Sequence, residues 1–292
     1  MDVADAVGQL WPGRHAHVSA LDGGITNRNY KVEIDGAVYV LRMGGERTET
    51  LGIDRVAEHA ASLRAQEIGI GPAVEGFLES EGLLVTRFID GRSIALEEMR
   101  STSTLPRVAD ALRRLHSAAP IPGRFDAHAV VDGYRVAAQA SGVEIPEDFA
   151  AAREVSERIR EARGPQPLVP CHNDLLNANF LDDGAIRIVD WEYAGMGDRF
   201  FDLANFSVNH EFHLDDDRRL LAAYFGIERD ADLAALRLMR FMSDFREAMW
   251  GVLQSGISEL DFDFNGYAAK HFQRLRVTAA EPQFEQYLGA FP

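Results

Sequence analysis

A chain of 292 residues with a 46% hydrophobic share is long enough for one or two ordinary cores, and it contains no run of about 18 apolar residues that could span a bilayer. Thirty Lys and Arg against 46 Asp and Glu leave a net charge of −16, a field that repels nucleic acid and attracts small cations. The N-terminus lacks the basic-then-apolar order of a signal peptide, and the single cysteine, Cys171, excludes an internal disulfide, so a soluble protein of a reducing cytoplasm is expected.

In chain order, a short helical opening leads to strands at His17 to Leu21 and Asn29 to Ile34, joined by Asp22-Gly23-Gly24-Ile25-Thr26-Asn27. Gly23 and Gly24 allow the backbone to approach a phosphate closely and to present N–H groups to it. Asp35-Gly36 then turns the chain into Ala37 to Met43. Ile53, Val56, Ala60 and Leu63 recur at helical spacing and stop at Gly69-Ile70-Gly71-Pro72. Leu83 to Ile89 reads as an apolar strand, and Asp90-Gly91 as the hinge between a first unit, 1–90, and a second, 91–292.

Leu105, Val108, Ala109, Leu112, Leu115 and His116 mark a buried helix, with His116 a satisfied core histidine. Residues 118–147 have no clear period and read as a connection with a short helix, and Ala150 to Arg163 is a charged helix ended by Gly164-Pro165. Leu168 to Cys171 then leads into His172-Asn173-Asp174-Leu175-Leu176-Asn177-Ala178-Asn179. Phe180-Leu181, Asp182-Asp183-Gly184 and Ala185 to Val189 follow as a hairpin, closing on Asp190-Trp191-Glu192.

An Asp, an Asn five residues on and a second Asp beyond a hairpin are the polar groups a phosphoryl-transfer site requires. Asp174 takes the place of the base that accepts the hydroxyl proton late in the reaction. Asn179 and Asp190, at one end of the hairpin, supply the hard oxygens that Mg²⁺ prefers. With Asp174 as base, His172 is a hydrogen-bonding support of the loop.

His-Asn-Asp with Asp-Trp-Glu-Tyr resembles the choline/ethanolamine kinase branch of the aminoglycoside phosphotransferase-like kinases, nearest the bacterial choline kinases. The resemblance covers residues 20–275 and implies an α+β, two-lobed protein kinase-like fold: a small antiparallel sheet lobe that binds ATP, and a larger, mainly helical lobe that carries catalysis and acceptor binding. It implies that Asn27, closing the Gly-Gly-x-x-Asn loop, and Arg42, where many kinases have Lys, act on the phosphates. Glu58 would pair with Arg42, with Glu67 the competing choice. Backbone groups of Arg87 and Ile89 would meet adenine, Glu192 would stand near a second Mg²⁺ or the acceptor, and Asp202 in Phe-Asp-Leu-Ala would fix the catalytic loop from behind.

The acceptor implied is a small cationic amino alcohol. A quaternary ammonium has no hydrogen to donate and is held by aromatic faces, each contributing about 0.5–2 kcal/mol. Tyr193, Trp250 and Phe262 are the candidates, although Leu253 stands where one alignment puts a second Trp, which admits ethanolamine or thiamine beside choline. An antibiotic kinase and a catalytically silent nucleotide-binding regulator are the alternatives. No nucleic-acid partner or membrane insertion is expected.

Overall fold

The computed structural model describes residues 1–21, 27–45 and 48–291. The first part comprises α1 (Val3–Leu10), β1 (His17–Leu21), β2 (Asn27–Ile34), β3 (Ala37–Gly44), α2 (Arg55–Glu67), β4 (Val74–Leu78) and β5 (Leu83–Arg87). After β6 (Arg92–Ser93) come α3 (Leu105–His116), α4 (Ala127–Ala140), α5 (Asp148–Arg163), β7 (Leu168–Cys171), β8 (Phe180–Asp182), β9 (Ile186–Ile188) and β10 (Gly195–Asp198). The chain closes with α6 (Arg199–Asn209), α7 (Leu214–Phe225), α8 (Asp230–Ile257), α9 (Phe264–Ala279) and α10 (Phe284–Leu288). This is the expected mixed fold, an antiparallel sheet followed by a helical body. Among the described residues no helix is long and apolar enough to cross a membrane.

The sheet runs β1-β2-β3-β5-β4 with antiparallel neighbours throughout. Its central hairpin turns at Asp35 and Gly36, with φ of 51° and 79°, the left-handed pair whose twist matches that of the flanking strands. Val32, Ile34, Leu41, Met43, Leu83 and Val85 of the sheet bury a small core with Ala6 and Val7 of α1.

The larger core surrounds α8, whose residues from Leu233 to Gln254 are buried except Arg240. Helix α2 joins this core through Ala61 and Ala65. The apolar stripe expected on α2 is displaced: Val56 and Leu63 are 46% and 43% exposed, while Ala57, Glu58, Ala61, Ser62 and Ala65 face inward. Small side chains let the helix lie close to its neighbours while Glu58 reaches the sheet. The chain before β7 also differs from expectation. α4 is a full 14-residue helix, capped by Asp126 accepting from the His128 and Ala129 N–H groups.

The hairpin is as expected. Phe180 pairs with Ile188 and Asp182 with Ile186, β6 pairs with β8, and Val189 N–H donates to Asn179 O at 3.0 Å. Asn179 and Asp190 therefore stand at the same end of the ribbon.

Candidate active site

The catalytic loop leaves β7 at His172 and is fixed by side chains behind it. Asp202, fully buried on α6, accepts from His172 N–H (2.8 Å) and Asn173 N–H (2.7 Å). His116 of α3 lies 3.1 Å from the same carboxylate and 2.7 Å from the Tyr224 hydroxyl through its other nitrogen. Asn205, one turn further along α6, accepts from Leu175 N–H at 2.6 Å and donates to Ser243. His172 donates from Nε2 to Val189 O (3.0 Å) and accepts at Nδ1 from Asp174 N–H (3.2 Å). Those roles require the neutral ring, and burial lowers its pKa accordingly.

This frame turns the Asp174 side chain toward the helical body, where Arg246 Nη1 of α8 lies 3.2 Å from Oδ1. Burial pushes the Asp174 pKa up to about 8 against the opposing charge of Arg246. Asn179 Nδ2 donates to Asp174 O at 2.8 Å, leaving its own carbonyl oxygen for another partner. Asp190 presents a carboxylate whose Oδ1 lies 2.6 Å from Arg42 Nη2 and whose side chain keeps 26% of its surface exposed. An amide oxygen and a carboxylate oxygen of this kind, brought to one end of the hairpin, fit Mg²⁺.

Beside Asp190 is a charge cluster that joins sheet, helix and hairpin. Arg42 on β3 reaches Glu58 on α2 (2.6 Å), Asp190 (2.6 Å) and Glu192 (3.0 Å). Arg55 lies 2.7 Å from Glu58 and donates to Asn27 Oδ1 at 2.8 Å, and Asn27 donates to Glu192 at 2.9 Å. Burial opposes the charge on Arg42, but Asp190, Glu58 and Glu192 override it and raise its pKa. Glu192 is pushed up to about 7 by burial, with Asp190 adding to it and Arg42 opposing. Of the two candidates for Arg42, Glu58 is the partner; Glu67 pairs with the neighbouring Arg64 at the surface.

On the acceptor side, Trp250 Nε1 donates to the Tyr193 hydroxyl at 3.1 Å. Trp250 packs edge-on against Phe264 and Tyr267, with ring centres 5.9 and 5.5 Å apart. Phe262, 44% exposed, lies over Phe264 and Tyr267 at the rim. The Arg246 guanidinium sits 4.3 Å from the centre of the Tyr193 ring and pairs with Glu247, which also accepts from the Tyr267 hydroxyl at 2.7 Å.

His172, Asp174, Asn179, Asp190, Glu192, Arg42, Glu58, Asn27, Tyr193, Trp250 and Asp202 are thus linked in one continuous set of contacts. Gly23 and Gly24 lie outside the described residues. At the hinge, Arg87 N–H is already bonded to Ala73 O, whereas Ile89 N–H makes no hydrogen bond among the described residues. Arg55, Arg246, Glu247 and Tyr267 were not singled out by sequence reasoning. The signal was present in α8, where Arg237, Asp244, Arg246 and Glu247 stand among mostly apolar residues, since charges buried in a helix need partners.

A sequence profile of the phosphotransferase enzyme family matches residues 17–239. A crystal structure of a choline/ethanolamine kinase family protein from Mesorhizobium loti superposes with a TM-score of 0.84, at 32% identity over 98% of this chain and 97% of that one. The probable ethanolamine kinase A of Dictyostelium discoideum is 25% identical over 89% of this chain and 85% of its own. Protein LicA of Haemophilus influenzae is 28% identical over 66% of this chain, a match that spans 57% of LicA.

Proposed function

Since the chain belongs to the phosphotransferase enzyme family and, within it, to the choline/ethanolamine kinase family, we propose that it transfers the γ-phosphoryl group of ATP to the hydroxyl of choline or a related amino alcohol such as ethanolamine or thiamine. In this reading residues 1–90 bind the nucleotide and 91–292 carry the base and the acceptor site. The observation that carries it is the juxtaposition of Asp174, Asn179 and Asp190, locked by the bonds from Asn179 Nδ2 to Asp174 O and from Val189 N–H to Asn179 O.

Asp174 orients the acceptor hydroxyl. As the hydroxyl oxygen bonds to the γ-phosphorus and the bridging bond to ADP breaks, Asp174 takes the proton. Arg42 balances phosphate charge and is oriented by Glu58, Asn27 extends the polar lining from β2, and Ile89 offers its free N–H to the adenine edge. Arg87, its N–H committed to the sheet, contributes at most its carbonyl. Asn179, Asp190 and Glu192 would hold Mg²⁺, which when bound neutralises charge on the transferring group. Asp202 and His172 keep the loop in place, and Trp250, Tyr193 and Phe262 shape the acceptor pocket.

The test is ADP formation by the purified protein with Mg²⁺-ATP across choline, ethanolamine, thiamine and one aminoglycoside. Saturable turnover with an amino alcohol is expected. Turnover of the aminoglycoside alone supports an antibiotic kinase, and ATP binding with no turnover at all supports a silent regulator.

A further inference from the structure

The side chains behind the catalytic loop hold its backbone: Asp202 takes the N–H groups of His172 and Asn173, and Asn205 takes that of Leu175. These bonds place the Cα of Asp174 and leave its carboxylate untouched. Among the described residues that carboxylate accepts one hydrogen bond, from Arg246 Nη1 to Oδ1 at 3.2 Å. An aspartate fixed only by its backbone keeps its own torsions, and the second of them is broad. The contact that selects the direction of the carboxylate therefore comes from Arg246.

Arg246 is itself fixed. It is 2% exposed in the middle of α8, it pairs with Glu247, which accepts from the Tyr267 hydroxyl of α9 at 2.7 Å, and its guanidinium sits 4.3 Å from the centre of the Tyr193 ring. A planar guanidinium gripped in this way donates in a set direction. Its charge matters as well. Glu247, Asp190 and Glu192 all oppose a charge on Asp174 and Arg246 supports it, and the phosphates of a nucleotide would add to the opposition.

We infer that Arg246 is the positioning residue of the base: by holding Oδ1 of Asp174 it turns Oδ2 to the acceptor hydroxyl. The inference rests on the phosphoryl-transfer reading and gives the two carboxylate oxygens different tasks. As the hydroxyl oxygen forms its bond to the γ-phosphorus and the bond from that phosphorus to the bridging oxygen of ADP breaks, the hydroxyl proton passes to Oδ2, while Oδ1 stays on the guanidinium.

The experiment is a double-mutant cycle between Arg246 and Asp174, read as kcat and acceptor KM by ADP formation from Mg²⁺-ATP. The acceptor is whichever of choline, ethanolamine, thiamine and one aminoglycoside the unaltered protein turns over fastest. A displacement of about 1 Å at a reacting group costs about 10²-fold, so Arg246→Met should lower kcat about tenfold to a hundredfold, with acceptor KM changing by less than about threefold. In the Asp174→Asn protein, where no base remains to be aimed, the same change should lower the residual kcat by less than about twofold. Equal losses in the two backgrounds overturn the inference, because a residue that merely holds α8 in place acts whether or not the base is present. An unchanged kcat in the Asp174 background overturns it too, as does a rise in KM that accounts for the whole loss. If Arg246→Met strands Glu247 and fails to fold, Arg246→Met with Glu247→Gln removes the ion pair as a unit and goes through the same cycle, with Glu247→Gln as its reference. No turnover of any acceptor by the folded, unaltered protein overturns the phosphoryl-transfer reading and this inference together, whereas turnover indifferent to Arg246 overturns the inference alone.

Discussion

Asn173 and Asp190 hold φ of 66° and 69°, a left-handed conformation that side chains other than glycine enter at some cost. Asn173 immediately precedes the proposed base, and Asp190 is itself a proposed Mg²⁺ ligand. At Asn173 the bend is held by Asp202 on its N–H and by its own Nδ2 donating to Tyr193 O at 3.0 Å, and it aims the next side chain, Asp174, into the cleft. If Asp174 is the base, Asp174→Asn should lower kcat by about 10²–10⁴-fold, the usual weight of general base catalysis. Nucleotide affinity measured by calorimetry should stay within a few-fold. Turnover that survives the change would remove Asp174 from that role.

At the scale of elements, α8 and α9 meet at Gly251, where an added Cβ would stand 3.0 Å from Tyr267 Cδ1 and 3.2 Å from Ala268. Gly251→Val should therefore cost about 1–3 kcal/mol of stability by overpacking. It should also raise the acceptor KM by pushing Tyr267 off Glu247, leaving nucleotide affinity unchanged; equal effects on both substrates would point to general disruption. Four of the five strands of the sheet and the catalytic hairpin were legible in the sequence because alternation and Asp-Gly turns are local signals; β4 (Val74–Leu78), short and interrupted by Gly76, was not. The inward face of α2 was not, since alanines pack closest yet carry the weakest hydrophobic signal, and Val56 and Leu63 point the apolar pattern to the solvent side. α4 was hidden in the same way, its buried Ala127, Val131, Tyr134 and Ala138 diluted among other alanines. The meeting of Asn179 and Asp190 was legible from spacing alone, whereas Arg55 reaches Glu192 and Arg246 reaches Asp174 across more than 70 residues of chain, and only the fold brings those pairs together.

For the molecule as a whole, two cores share one long polar seam, and burial of polar groups sets its response to acid. Burial lowers His128 to about 4, and Arg160 adds to the effect; His210 falls to about 4 for the same first reason. Unfolded, each titrates near 6.5, so between about pH 6.5 and 4 the unfolded chain binds more protons and these residues make stability fall as pH falls. Replacing one isolates its share: His128→Gln, which keeps a donor near Ser156 Oγ, should lose less Tm between pH 7 and pH 4 than the unaltered protein. Parallel Tm curves would exclude His128 as a contributor.

The anchoring of the catalytic loop on Asp202 has a consequence for how slowly parts of the chain can move. The N–H groups of His172 and Asn173 lie outside any helix or strand, a position where amide protons ordinarily exchange with solvent quickly, yet both end on a carboxylate with no exposed surface. No local fluctuation frees them without moving α6, which is packed beneath α8. Their deuterium uptake should therefore track global unfolding, with protection factors matching those of α8 amides, and Asp202→Asn should speed exchange at these two sites far more than along α8. A loop that gives up its protons only when the whole fold opens is, on the timescale of turnover, as rigid as the core.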